Sequence, residues 1–462
     1  MKPKILKTFV TGILILLIYV PSSAKPDSQS ATRETFDPKM AEQKFVQAVR
    51  LYRRDFDNLE RSRGLWPKSE RTWEDSFHRG ALPVDRLENY SDVIGSADIA
   101  EELRESFLPN TAVLFYSFES GKLLHVWLIG YSGIIAYQQV PVSLERLEIA
   151  INNLRVALGV DSTQISRSTI QPNRLLIQQA VRKPQPLQPA VAELSAILLP
   201  GEIGSSLKYV RHLIVVPILG IGTVPFGILQ IASGDLINTM SISFAPSLFD
   251  LAMARNYPAW PKSFAKPLVI GNPTLKPDPP WIAPSLPGAE REAREIAKKL
   301  HTIPLTRSLA TKTALLTRAG EADFLFFGTH GVASSEEPLT KSFLAFSAPV
   351  FREGWWTARE IQSTKLKANI AVLSACQTGL GRAHDAGTIG IARAFQIAGV
   401  PRVVMSLWSV SDNATADLMQ SFVDHLADEI PAEALRQAML NTKTRHSNPS
   451  KWASFVLFGL PK

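Results

Sequence analysis

From residue 210 onward, short apolar runs alternate with longer amphipathic stretches, and that rhythm restricts the chain to few architectures. The runs predict strands over Val210–Val216, Ser241–Ala245, Leu268–Gly271, Phe324–Gly328, Ile370–Ser374, Arg402–Leu407 and Ala453–Phe458. The stretches before and between them predict helices over Val191–Leu199, Ser247–Arg255, Gly288–Leu300, Lys312–Ala319, Trp356–Leu366, Thr388–Ala398, Asn413–Ala427 and Ala432–Thr444. Apolar runs without polar alternation suit strands covered on both faces. The expectation is therefore an α/β fold, a mostly parallel sheet with helices on both faces. Such sheets place ligand sites beyond the carboxyl ends of their strands.

Upstream, Thr111–Phe118, Leu123–Ile129 and Gly133–Val140 are apolar or alternating runs split by Ser120-Gly121 and Ser132-Gly133, the pattern of a meander. An amphipathic helix over Ser143–Leu158 follows. Phe45, Val49, Tyr52 and Phe56 recur at spacings of three and four and predict a helix over Met40–Arg63, with a second over Ala97–Leu108. Residues 161–189, rich in Gln, Pro and Ser, predict one helix within looser chain, and the proline-rich stretch from Asn272 to Pro287 reads as a connection inside one domain. The division expected is a leader over 1–24, a polar and helical region over 25–110, and an α/β domain over 111–462.

The leader begins with Lys2, Lys4 and Lys7, continues in the apolar run Phe9–Val20 and closes on Pro21-Ser22-Ser23-Ala24. That pattern predicts a cleaved export signal and a periplasmic or secreted protein. The alternative is an uncleaved anchor through residues 9–20, the one route to a membrane, although a span needs about 20 residues. Charge is spread along the chain: 50 basic and 42 acidic side chains give a net +8 with no basic run interleaved with aromatics. A nucleic-acid partner is not expected.

Cys376 is the sole cysteine, which excludes a disulfide framework within the chain. Its setting points to chemistry. One apolar strand ends in Gly328-Thr329-His330-Gly331, another in Ser374-Ala375-Cys376-Gln377-Thr378-Gly379, and the two residues are 46 apart. In a parallel sheet both would face one edge. A thiolate attacks carbonyl carbon, and a nearby imidazole exchanges protons near neutral pH. A tetrahedral oxyanion needs positioned N–H donors. The backbone amides of Gly331 and Cys376 are the candidates.

Residues 111–462 resemble the CHAT family of caspase-like peptidases, often fused to tetratricopeptide repeats. The resemblance runs through Thr329-His330-Gly331, Ser374–Gly379, Gly390–Gly399, Ser406–Asp412, Leu286–Glu290, Pro225-Phe226 and Trp452–Gly459. It implies a caspase-haemoglobinase-like fold preceded by a short helical region. It also implies a cysteine endopeptidase in which Cys376 attacks the peptide carbonyl and His330 protonates the leaving amine. A Cys–His dyad calls for no cofactor or metal. Calcium binding, known among relatives of the fold, finds no acidic loop of EF-hand spacing here.

Three further residues are candidate substrate contacts. Ser374 stands where caspases carry the glutamine that helps bind a substrate aspartate, so aspartate specificity is not carried over. Trp408 would wall the primary specificity pocket or pack in the core. Asp412 would select a basic side chain or cap the helix that follows. Ala386 departs from the acidic residue frequent before the glycine matched by Gly387, and His384 and Asp385 read as solvated loop residues. The loop Gly379–Thr388 is the candidate for ordering before catalysis. The expected partners are a protein or peptide substrate and, since the chain shows no tetratricopeptide repeats, a regulatory partner protein. The competing reading is a non-catalytic interaction or scaffold module.

Overall fold

A computed structural model describes residues 37–62, 94–160 and 186–461, apart from 246, 253, 255–257, 277–283, 335–336, 375–381, 385–386, 409 and 411. The leader, its anchor alternative over 9–20, most of the 161–189 stretch, Cys376 and Asp385 fall outside the described residues, as do the side chains of Phe56, His384 and Asp412.

Eleven strands form the main sheet: β1 (Thr111–Glu119), β2 (Leu123–Gly130), β3 (Gly133–Pro141), β4 (His212–Val216), β5 (Ser241–Phe244), β6 (Pro267–Pro273), β7 (Leu305–Arg307), β8 (Phe324–Gly328), β9 (Ile370–Leu373), β10 (Arg402–Ser406) and β11 (Phe455–Gly459). Their spatial order is β3-β2-β1-β4-β5-β11-β10-β9-β8-β6-β7. The predicted meander is present as the antiparallel β1–β2–β3 end. Strands β1, β4, β5 and β11 run parallel to one another. Strands β10, β9, β8, β6 and β7 form a second parallel block. The blocks meet at one antiparallel seam, β10 against β11.

Alternation along β8 shows why the sheet needs cover on both sides. Successive side chains point to opposite faces. A Cβ on Gly328 would lie 3.2 Å from Ala289 of the helix Pro287–Lys299. Phe327 meets Phe395 of the helix Ile391–Ile397 on the other face, with ring centroids 5.9 Å apart. All five residues of β8 are buried, and each large apolar side chain so covered contributes ~2 kcal/mol. In the helical region before the sheet, Ala41, Phe45, Ala48, Val49 and Tyr52 of the helix Pro38–Ser62 form one buried stripe. Phe45 and Tyr52 pack edge-on against Phe115 of β1.

Two predicted helices start later than their sequences suggest. Trp356 belongs to the strand Trp355–Thr357, and the helix there is Ala358–Ser363. Thr357 and Glu360 form a reciprocal capping box, which fixes the start after Thr357. The two tryptophans go to opposite faces: Trp355 stacks on Phe343 at 4.0 Å, and Trp356 packs on Phe327 and Phe395. Likewise Thr388 lies in the hairpin strand Gly387–Ile389, paired with Arg382–His384, and the helix begins at Ile391. Part of the loop expected to order before catalysis is therefore a hairpin.

Candidate active site at the strand ends

Parallel strands β8 and β9 are neighbours, and their register pairs Phe327 with Leu373. His330 follows Phe327 by three residues, and Cys376 follows Leu373 by three. Strands β8 and β9 therefore end side by side at the same edge of the sheet, at matching register, and Cys376 itself lies outside the described residues.

Beyond β8 the backbone enters a small sheet of Gly331–Val332, Phe343–Ala345 and Trp355–Thr357. The Thr329 hydroxyl donates to Ala345 O, and Ala345 N–H donates to His330 O at 2.9 Å. These bonds fix the main chain on either side of the imidazole. Gly331 faces Leu344 in an antiparallel pair. The Ala345-to-His330 bond marks that pair as the non-hydrogen-bonded kind, so Gly331 N–H points away from the strand Phe343–Ala345.

His330 is half-buried, and its Nε2 lies 2.7 Å from Pro284 O. A carbonyl oxygen can only accept, so Nε2 carries the proton. In the neutral ring Nδ1 is then the nitrogen with a free lone pair, the one able to act as base.

Segment 284–286 is itself tied down. Asn272, near the end of β6, accepts at Oδ1 from Leu286 N–H at 2.7 Å and from the Ser285 hydroxyl at 3.2 Å. Its Nδ2 donates to Glu290 Oε2 at 2.9 Å. Glu290 also receives Arg307 Nε at 2.8 Å and Arg294 Nη2 at 2.9 Å. The Arg307 bond foremost, then those from Arg294 and Asn272, lower its carboxyl pKa to about 2.

Ser374 sits just past β9, and its hydroxyl donates to Glu292 Oε1 at 2.8 Å. Glu292 is buried on the helix Pro287–Lys299. Trp408 is buried, with its indole N–H donating to Ser450 O at 2.8 Å. The helix Asp412–His425 begins at Asp412 itself. Sequence reasoning passed over Asn272, Pro284 and Glu292. A glycine–asparagine pair ending an apolar strand was the available signal for the first, and the others carry no local pattern.

The fold is that of an α/β protein in which the strand that precedes His330 in sequence ends beside the strand that precedes Cys376. The chain belongs to the CHAT domain family, whose profile matches residues 187–460, more than half of its length. Among curated proteins it is similar to tetratricopeptide repeat protein 28 of Homo sapiens, 26% identical over 347 residues, which are 65% of this chain and 14% of that protein. The Mus musculus counterpart is 26% identical over 61% of this chain and 13% of its own length. The chain thus spans about one seventh of these relatives. Similar solved structures include the Arg-specific cysteine proteinase gingipain R, at 12% identity and TM-score 0.41, covering 59% of this chain and 67% of that one. The Saccharomyces cerevisiae separase–securin complex is similar at 12% identity and TM-score 0.47, covering 84% of this chain and 32% of that one.

Proposed function

We propose that this protein is a cysteine endopeptidase with Cys376 as nucleophile and His330 as acid–base partner. The observation that carries the reading is the pairing of Phe327 with Leu373, each three residues before one member of the dyad. The Cys376 thiol gives its proton to His330 Nδ1 as sulfur bonds to the substrate carbonyl carbon. The N–H groups of Gly331 and Cys376 receive the oxyanion. His330 then passes the proton to the departing amine nitrogen as the C–N bond breaks, leaving a thioester. Water attacks the thioester, gives a proton to Nδ1, and the acid departs as that proton returns to sulfur. Throughout, Pro284 O holds Nε2–H and offsets the positive charge that forms on the ring. Substrates are protein or peptide chains, met outside the cytoplasm if residues 1–24 act as an export signal. Amino-terminal sequencing of the mature protein tests that last point and should read from Lys25.

Peptidyl chloromethyl ketones with varied side chains test the chemistry. The adduct should map to Cys376, vanish in Cys376→Ala, and form about 100-fold more slowly in His330→Gln. No adduct with any member of the panel, or equal labelling in His330→Gln, would overturn the reading. A non-catalytic interaction module is the second reading, favoured by the repeat-protein name of the curated relatives. Equal cellular phenotypes for wild type and Cys376→Ala would select it.

A further inference from the structure

We infer that Asn272 and Glu290 are positioning residues for His330, fixing through segment 284–286 which ring nitrogen carries the proton. The inference rests on the peptidase reading only for its consequence in catalysis; the hydrogen-bond relay is independent of it.

The relay starts at a distortion in β6. Pairing of β6 with β7 shifts register between Gly271 and Pro273, leaving Asn272 as the extra residue of a bulge. Its φ is 48°, in the left-handed region that asparagine enters more readily than most residues. Bulges re-aim side chains beside functional sites. Here the bulge buries the Asn272 amide, 5% exposed, between two groups of opposite need. Oδ1 takes the main-chain N–H of Leu286, two residues beyond the carbonyl that binds His330. Nδ2 gives to Glu290. Because Glu290 can only accept when ionised, it fixes the amide orientation: NH2 toward Glu290, oxygen toward Leu286. Arg307 and Arg294 keep Glu290 in that ionised form.

A reversed or absent amide would release segment 284–286. Pro284 O would then lose its fixed place, and the proton on neutral His330 would distribute between Nδ1 and Nε2. A ring protonated at Nδ1 cannot accept the thiol proton there. Outer partners of this kind set histidine tautomers generally.

The test is 15N NMR of full-length protein labelled at histidine, at a pH where the ring is neutral, with the His330 signals assigned by comparison with His330→Gln. Wild type should show Nε2 protonated and Nδ1 bare. Asn272→Gly keeps the left-handed backbone accessible and deletes the amide; it should shift the His330 signals toward a mixture of tautomers. Asn272→Asp, nearly the same shape, keeps the acceptor and places a carboxylate against Glu290; it should shift them in the same direction and serves if the glycine variant fails to fold. Peptide hydrolysis by either folded variant should lose about tenfold or more in kcat, with KM within about twofold, as for other outer-partner losses. Wild-type tautomer signals in a folded Asn272 variant would overturn the inference. An inactive wild type with the expected tautomer shift would sink the peptidase reading and leave the relay standing.

Discussion

The Ser374 hydroxyl donates a hydrogen bond to Glu292, a buried side chain 2.8 Å away on the helix that flanks β6 and β8. That hydrogen is engaged by Glu292 and so is not free for a substrate aspartate. Peptides with aspartate at the cleaved position should therefore show no kcat/KM advantage over matched alanine or leucine peptides. A cleavage-site library read by mass spectrometry checks this, and a strong aspartate preference would contradict it. Ser374→Ala should destabilise the folded protein by about 1 to 3 kcal/mol, since it removes a hydrogen bond from a buried carboxyl group.

Gly271 makes the flanking helix's close approach feasible. A Cβ there would lie 2.4 Å from Ala293 Cβ and 2.8 Å from Ala289 O, both on the helix Pro287–Lys299. Neither neighbour is a flexible side-chain end, so the helix itself must move. Gly271→Ala should cost about 1 to 3 kcal/mol of stability, the usual range for overpacking. It should lower activity further, because Glu290 and Glu292 ride on the displaced helix. Denaturant unfolding beside a peptidase assay reads both effects. A variant of unchanged stability and activity would show that the helix tolerates the shift.

The strands that build the site were legible because they obey one simple rule. Phe324–Phe327 and Ile370–Leu373 are apolar without a break, and only strands covered on both faces accept that pattern at such length. Their shared edge followed from parallel pairing. The antiparallel seam between β10 and β11 did not follow, because β11 reads as just another apolar run. The pattern from Trp356 onward reads as a helix, and only Thr357's capping bond with Glu360 shows where the helix starts. Strand β7, three residues long, offers too few positions for any period. The Asn272–Glu290 contact joins residues 18 apart across a bulge, and no spacing rule reaches it.

The Glu290 cluster should give stability a specific acid dependence. Its carboxyl pKa is lowered from the ordinary glutamate value of 4.5 to about 2 in the folded protein, chiefly by Arg307. A lowered folded pKa means the stabilisation is full above the ordinary value and fades as pH falls from about 4.5 toward about 2. Both arginines are more than half exposed, so solvent screening reduces the contribution to on the order of 2 kcal/mol. Glu290→Gln should be less stable than wild type by about that amount at pH 7. The gap should narrow steadily below pH 4.5, as denaturant titrations across the range would report. A constant gap at all pH values would mean that Glu290 acts through packing alone.

Gly331 offers the sharpest separation of catalysis from folding. Its N–H points away from the strand Phe343–Ala345, so that pairing does not use it. Gly331→Pro deletes this donor and leaves the Ala345-to-His330 bond free to form. Loss of one oxyanion donor lowers kcat by about 100- to 1000-fold in other acyl-transfer enzymes, with little effect on ground-state binding. The variant should therefore show a kcat loss of that order on peptide substrates at near-constant KM. Alkylation of Cys376 by iodoacetamide passes through no oxyanion and should proceed at close to the wild-type rate. The ratio of the two effects is the decisive quantity. Equal losses in hydrolysis and alkylation would place the damage in the strand or in His330 and remove Gly331 N–H from the oxyanion site.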